Sequence, residues 1–267
     1  MESMILKAIW FIIHFIVDLI ESLFYYGLEF RENFIYFIKN ISIDSLSRSK
    51  KNELAYIEAR INDLKKLPKH IAVILNINNK KDVDLSKLVN LVSWSMNSNV
   101  NFISFYDYKG ILKNQLASSF HQLIKDKLTL NNDENLVWGP DYNLKASLNE
   151  GVEFPHRNGF IKHLVINIYS SYDSYSLFNK LLTDDELSSK DIKIENVNKK
   201  ISKLYGNIPE PELALYIGKT TCTAGFLPWH IRLTEFIQIS YKLKNLTLDK
   251  YIRVLYKYAK CEQRYGK

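Results

Sequence analysis

The chain has 267 residues, room for one large domain and an appended segment. Apolar residues make up 46% and charged residues 24%, with 17 tyrosines and 14 phenylalanines, so a disordered or fibrous chain is excluded and a sizeable core is available. The formal net charge of +7 comes from scattered lysines without a nucleic-acid motif, and the two cysteines, Cys222 and Cys261, form neither a disulfide framework nor a metal spacing; DNA and RNA are set aside, and a reducing compartment is the default.

The N-terminal stretch is a helix. At about 100° per residue, Ser3, Lys7, His14, Asp18, Glu21, Tyr25, Glu29, Glu32 and Lys39 fall on one narrow polar stripe. Nearly everything else between Met4 and Leu28 is Ile, Leu, Phe, Val or Trp. A soluble domain of this size offers no groove long enough to bury such a helix. A cleaved signal peptide is also disfavoured: there is no basic start, and His14 and Asp18 interrupt the apolar run. A membrane-anchoring segment over 1–41 remains, with two depths open. The charge-free run Ala8–Val17 is ten residues, which suits a helix lying in the interface. A spanning helix fits if the polar stripe faces protein. Trp10, Tyr25 and Tyr26 suit headgroup depth in either case, and Arg48, Lys50 and Lys51 after the segment leave the rest of the chain facing the cytoplasm.

Residues 42–51 form a serine-rich polar linker, and 52–267 the folded domain. Asn52–Leu67 reads as a charged amphipathic helix stopped by Pro68. Ile71–Leu75 is a continuous apolar run typical of a parallel strand covered on both faces. A helix over 84–96 follows, with Asp84 placed to cap it. Phe102–Tyr106 is a second strand, 111–128 a second helix, Leu164–Tyr169 a third strand. Helical spacing returns over 191–204, Leu213–Ile217 is a strand, and 248–262 closes the chain as a helix. Strands alternating with helices predict an α/β fold with a mostly parallel central sheet. Among single residues, Asp107 is more plausible as a cap for the next helix than as an acid or base. His70, His121, His156 and His163 have no spacing that suggests a site.

Four blocks stand out. Gly225–Glu235 reads GFLPWHIRLTE, the last seven residues read CEQRYGK, Leu91–Met96 reads LVSWSM, and Ile103–Asn114 reads ISFYDYKGILKN. An apolar cluster broken by Pro228 suits neither a solvent-facing loop nor a core strand, and an ordered use for a chain terminus needs a partner. These blocks resemble the Nogo-B receptor family, the accessory subunits of eukaryotic cis-prenyltransferases, over about residues 67–267 with a poor match between 125 and 210. The resemblance implies a cis-prenyltransferase-like domain that pairs with a catalytic subunit. Together they would condense isopentenyl diphosphate with farnesyl diphosphate to dehydrodolichyl diphosphate, for dolichol synthesis and protein glycosylation at the endoplasmic reticulum membrane.

The same resemblance assigns roles to residues. Catalytic members carry a metal-binding aspartate and then a glycine after the first strand; here Asn76 and Ile77 stand in those places. An amide is a poor ligand for a hard dication, so Mg²⁺ is expected on the partner. Arginines that grip isopentenyl diphosphate in catalytic members are missing upstream of the FLPWH block, where Lys219 is the one cation. Glu235 matches a family glutamate that helps hold Mg²⁺, but a structural acceptor role is favoured for it. Arg264 and Gly266 match the family's terminal arginine-x-glycine, which crosses into the partner's active site and meets the diphosphate. Phe226, Leu227, Trp229 and Ile231 are expected to bury a wall against the partner. The alternative from another class is a membrane receptor or lipid-trafficking scaffold with no part in catalysis; the retained Arg264 and Gly266 favour the first reading.

Overall fold

The structure is a computed structural model and describes residues 2–43, 50–128, 136–139, 164–176, 179, 183, 194–205, 208–218 and 222–262. The chain divides into two compact units, Met1–Ser49 and Lys50–Lys267.

The first unit is one helix, α1, Glu2–Ile43. Within it lies Leu6–Leu28, 23 residues of mean hydropathy 1.7, whose most apolar window contains no buried residue. At about 1.5 Å per residue that stretch is about 34 Å long, enough to cross a hydrocarbon core of about 30 Å. Large apolar side chains stand open along it, Phe11 at 73% and Trp10 at 65% exposure, and the edge of Trp10 meets the His14 ring at 4.4 Å.

The second unit is built on six parallel strands. After α2 (Lys50–Ile61) come β1 (His70–Leu75), α3 (Leu85–Asn97), β2 (Phe102–Asp107) and α4 (Ala117–Leu128). Then follow β3 (Leu136–Trp138), β4 (Leu164–Ser170), α5 (Ile194–Tyr205), β5 (Leu213–Ile217), β6 (Glu235–Ser240) and α6 (Leu248–Lys260). The sheet order is β3-β4-β2-β1-β5-β6. The α/β class and the parallel sheet are as the apolar runs predict. Two strands go beyond the sequence reading. β3 has only three residues, and the EFIQIS of β6 is half-buried at a sheet edge, so neither gives a strong apolar signal. α2 also stops at Ile61, earlier than Pro68 alone suggests.

Each element forms for a local reason. β1 is buried at every position because both faces are covered. Its side chains alternate: Ile71, Val73 and Leu75 enter one large core with α3, α4 and α6, while Ala72 and Ile74 enter a smaller one with Tyr106, Val197, Ile201, Phe226 and Leu227. Asp84 caps α3, its Oδ1 accepting the Lys87 N–H at 3.3 Å. Asp107 is a cap too: its fully buried carboxylate accepts the Ile111 N–H at 2.8 Å and the Leu112 N–H at 2.9 Å, opening the π-helical turn Leu112–Leu116 that leads into α4. His121 packs edge-on against Trp138 at 4.7 Å, while His156 and His163 lie outside the described residues.

His70 at the start of β1 is buried and fully bonded. Its Nδ1–H donates to the Pro209 carbonyl at 2.6 Å, which leaves Nε2 to accept from Ser104 Oγ at 2.8 Å. Burial lowers its pKa from 6.5 to about 4, outweighing the Pro209 bond that favours the proton; the neighbouring His230, itself lowered by burial, adds slightly to the depression. The unfolded chain therefore holds the extra proton between about pH 6.5 and about 4, and stability falls as the pH drops through that window, by about 3 kcal/mol in all. The His70 ring signals should still be those of the neutral tautomer at about pH 5.5. Protonation with a midpoint near the free-histidine value would contradict this.

Candidate functional site

In an open parallel sheet, ligand sites form beyond the carboxyl ends of the strands, where the strand order reverses. Here the chain runs from β1 to β2 and out to β3 at the edge, fits β4 between β3 and β2, then crosses to lay β5 on the other side of β1, so the reversal lies between β1 and β5. Asn76 and Ile77 leave β1 at that point. The Asn76 N–H donates to the Ile217 carbonyl at 2.9 Å, extending the β1–β5 pairing by one residue. Gly218 ends β5 opposite it with φ +151°, and a Cβ there would sit 2.6 Å from the Asn76 Cβ. Only glycine lets the two strand ends approach so closely.

Around this point opens a crevice of about 980 Å³. Asn76, Asn78, Gly218 and Tyr241 line it together with Lys81, Lys242 and Lys244. Asn76 is exposed; Ile77 also lines the crevice but is only 8% exposed and belongs to the large core, so it fastens the loop from below. Two carboxylates lie nearby, and both are committed to backbone. Asp82 Oδ2 accepts the N–H groups of Asn79 and Asn78 at 3.0 and 3.3 Å, and Asp84 caps α3. Glu235 opens β6 beside Leu213, at the amino ends of the strands, whereas Asn76 follows Leu75, the partner of Ile217 at the carboxyl ends. At about 3.3 Å per residue they stand on the order of 15 Å apart. Among the described residues no three of His, Cys, Asp or Glu converge as metal ligands. The residues at this loop do not fit a Mg²⁺ ion.

A second hollow of about 300 Å³ shares Asn76–Asn78 and is walled by Tyr108, Lys109, Tyr175, Ala224 and Gly225. Its far wall is the entry to the FLPWH block, held from two directions. The Tyr106 hydroxyl donates to the Ala224 carbonyl at 2.7 Å, and Ser174 Oγ donates to the Gly225 carbonyl. Burial, then the neighbouring Tyr108 and Asp107, push the Tyr106 hydroxyl well above the usual phenol range, so it stays a donor. Gly225 has φ +76°, and a Cβ there would meet the Tyr175 ring at 2.6 Å. None of Tyr106, Ser174 or Tyr175 stood out in the sequence as a site residue, because their partners lie on a distant segment. Gly218 could have been found: a glycine immediately after a buried strand signals close backbone approach.

The expected interface wall needs correction. Phe226 is fully buried and Leu227 only 4% exposed, both inside the smaller core, where the Phe226 ring meets Tyr106 edge-on at 5.3 Å. They cover the sheet of their own chain and have no surface to offer a partner. Trp229 and Ile231 are half-buried on the same core. Trp229 Nε1–H donates to Asn198 Oδ1 at 2.9 Å, and the Arg232 guanidinium lies 5.3 Å from the Trp229 ring centroid while pairing with Glu210. Outward-facing apolar surface comes instead from Leu233 and Phe236, 49% and 36% exposed, which the sequence reading passed over. Arg264, Gly266 and Lys219 lie outside the described residues; the description ends at Glu262, just past the end of α6.

No family model matches the chain. It is 27% identical over 211 residues to the human dehydrodolichyl diphosphate synthase complex subunit NUS1, covering 76% of this chain and 68% of that one. The Saccharomyces cerevisiae protein of the same name is 27% identical over 241 residues, covering 76% of this chain and 60% of its own length. A tritrans,polycis-undecaprenyl-diphosphate synthase of Thermoplasma acidophilum is 22% identical over 246 residues, 79% of this chain and 95% of that one. Among solved structures, a probable undecaprenyl diphosphate synthase from Campylobacter jejuni overlaps 76% of this chain and 100% of its own at 16% identity, with a TM-score of 0.49, too low to bear weight. Relatives from human, mouse, Saccharomyces cerevisiae and Schizosaccharomyces pombe carry one name, and over most of its length, at 26–27% identity, the chain is similar to these subunits of the dehydrodolichyl diphosphate synthase complex.

Proposed function

We propose that this chain is the membrane-anchored, pseudo-catalytic subunit of a heteromeric cis-prenyltransferase. With a catalytic partner it condenses isopentenyl diphosphate with farnesyl diphosphate to dehydrodolichyl diphosphate, which feeds dolichol synthesis and protein glycosylation. Arg264 and Gly266 act in the partner's site, and the Mg²⁺ belongs to the partner. The observation that carries this reading is Asn76, an amide at the strand-order reversal where a catalytic member needs a carboxylate, beside Asp82 and Asp84 already bonded to backbone N–H groups. The purified chain, given both diphosphates and saturating Mg²⁺, should show no isopentenyl transfer. Asn76→Asp alone should not create it, since Glu235 lies at the other end of the sheet. Transfer by either form would contradict the reading.

The anchor belongs to the same proposal. α1 carries the stretch Leu6–Leu28, whose apolar side chains find no burial in the first unit. Removing residues 1–45 should give a soluble protein with its sheet intact. Aggregation of that product would assign α1 to the core instead. With the whole chain in membranes, retention after a carbonate wash indicates a spanning helix and release an interfacial one. The folded domain then faces the cytoplasm, and the endoplasmic reticulum is the proposed site.

A further inference from the structure

We infer, on the reading that Arg264 and Gly266 act in the partner's site, that Lys66 is the positioning residue that aims the C-terminal tail. The last carbonyls of a helix have no partner within it. α6 ends at Lys260, and Cys261 closes it, its N–H donating to the Tyr258 carbonyl at 3.0 Å and its thiol to the Lys257 carbonyl at 3.3 Å. Cys261 itself is extended, φ −70° and ψ 126°, so it is the residue at which the chain leaves the helix. Its own carbonyl is taken by Lys66 Nζ, which reaches across from the segment between α2 and β1. The same ammonium lies 4.5 Å from the Tyr258 ring centroid, a cation–π contact on the last turn of the helix. Lys66 therefore grips both the end of α6 and the first residue beyond it. A cation here also meets the negative end of the helix dipole.

The rest of α6 is held to α2 itself. The Tyr256 hydroxyl donates to the Arg60 carbonyl, and the Tyr56 hydroxyl to Asp249 Oδ1, each at 3.1 Å. These bonds fix the helix along its length. Lys66 alone among them touches the exit. Arg264 is three residues past Cys261, so the intervening chain spans at most about 10 Å. Because so few residues intervene, a change of direction at Cys261 shifts the region that Arg264 can reach by several ångströms, roughly one part in two of that span for a turn of about 30°. A displacement of about 1 Å at a reacting centre is already costly in rate. The Lys66 grip gives the chain beyond Cys261 a fixed starting direction.

The test uses the full-length chain assembled with its catalytic partner. Five variants are compared with the wild type: Lys66→Met, Lys66→Gln, Lys66→Arg, Arg264→Ala and the double Lys66→Met/Arg264→Ala. Lys66→Met should lower kcat/KM for isopentenyl diphosphate roughly tenfold. KM for the allylic diphosphate, recovery of the pair and its melting temperature should not change. Lys66→Arg, which keeps a cation and a donor, should restore most of the loss. The double variant should be no worse than Arg264→Ala. Lys66 is half exposed, and Lys66→Gln provides a second truncation, with the same loss expected, should methionine pack differently. Normal kinetics in Lys66→Met and Lys66→Gln beside an impaired Arg264→Ala would overturn the inference and leave the tail reading standing. A double variant multiplying the two losses would also overturn it, because Lys66 would then act by another route. Normal turnover in Arg264→Ala would remove the tail from the active site and the inference with it.

Discussion

A pair carrying Arg264→Ala should turn over about ten- to a hundredfold more slowly than the wild-type pair, with expression, membrane attachment and recovery of the complex unchanged. The magnitude follows from a hydrogen bond to a charged group, worth about 1.5–3 kcal/mol, made in the transition state and lost on truncation. Arg264→Lys should recover only part, because a point charge does not reproduce the planar fork that matches two diphosphate oxygens. Gly266→Ala separates the backbone role from the charge: it keeps the amide and adds a Cβ, so it hurts most if the residue adopts a positive φ. Steady-state kinetics with isopentenyl diphosphate varied decide it. A pair with Arg264→Ala and wild-type constants would leave the tail without a catalytic role.

Phe226→Ala should destabilise the chain itself by about 3–5 kcal/mol, the usual range for emptying a buried aromatic site. Phe226 is fully buried between the sheet and α5, with Tyr106 edge-on against it, and no solvent-accessible side to relax. The loss should appear as a lower melting temperature of the isolated chain, before any defect in pairing is measured. Trp229→Ala offers the contrast. Trp229 is half-buried and holds one hydrogen bond to Asn198, so its truncation should cost the isolated chain less. Its effect should fall on association, about 2 kcal/mol or more if it anchors the interface. A Phe226→Ala chain with an unchanged melting temperature and a lost partner would return that residue to the interface.

Much of the fold is legible in the sequence where the signal is local. Ile71–Leu75 reads as a strand covered on both faces, and it is; Asp84 and Asp107 read as caps, and their carboxylates accept the expected N–H groups. The loop at Asn76 and Ile77 is equally local, since it follows a strand that names itself. What the sequence conceals is contact across long separations. The Tyr106 hydroxyl meets a carbonyl 118 positions away, and Lys66 one 195 positions away, and neither residue type advertises such a partner. The misplacement of Phe226 and Leu227 has the same root. A proline-broken apolar cluster suits an exposed wall until one sees that Ala72, Ile74 and Ala214 leave the second face of the sheet needing cover, which this cluster provides. β6 is hidden because an edge strand buries only part of each face.

If this chain works by completing an active site that it does not own, activity should belong to the pair. Prenyl transfer should therefore be measured on three preparations made in parallel: this chain, a candidate catalytic subunit, and the co-expressed pair. The chain alone should be inactive, the catalytic subunit weak or inactive, and the pair should make long-chain product at a rate well above the sum of the two. A catalytic subunit whose turnover is the same with and without this chain would contradict the claim.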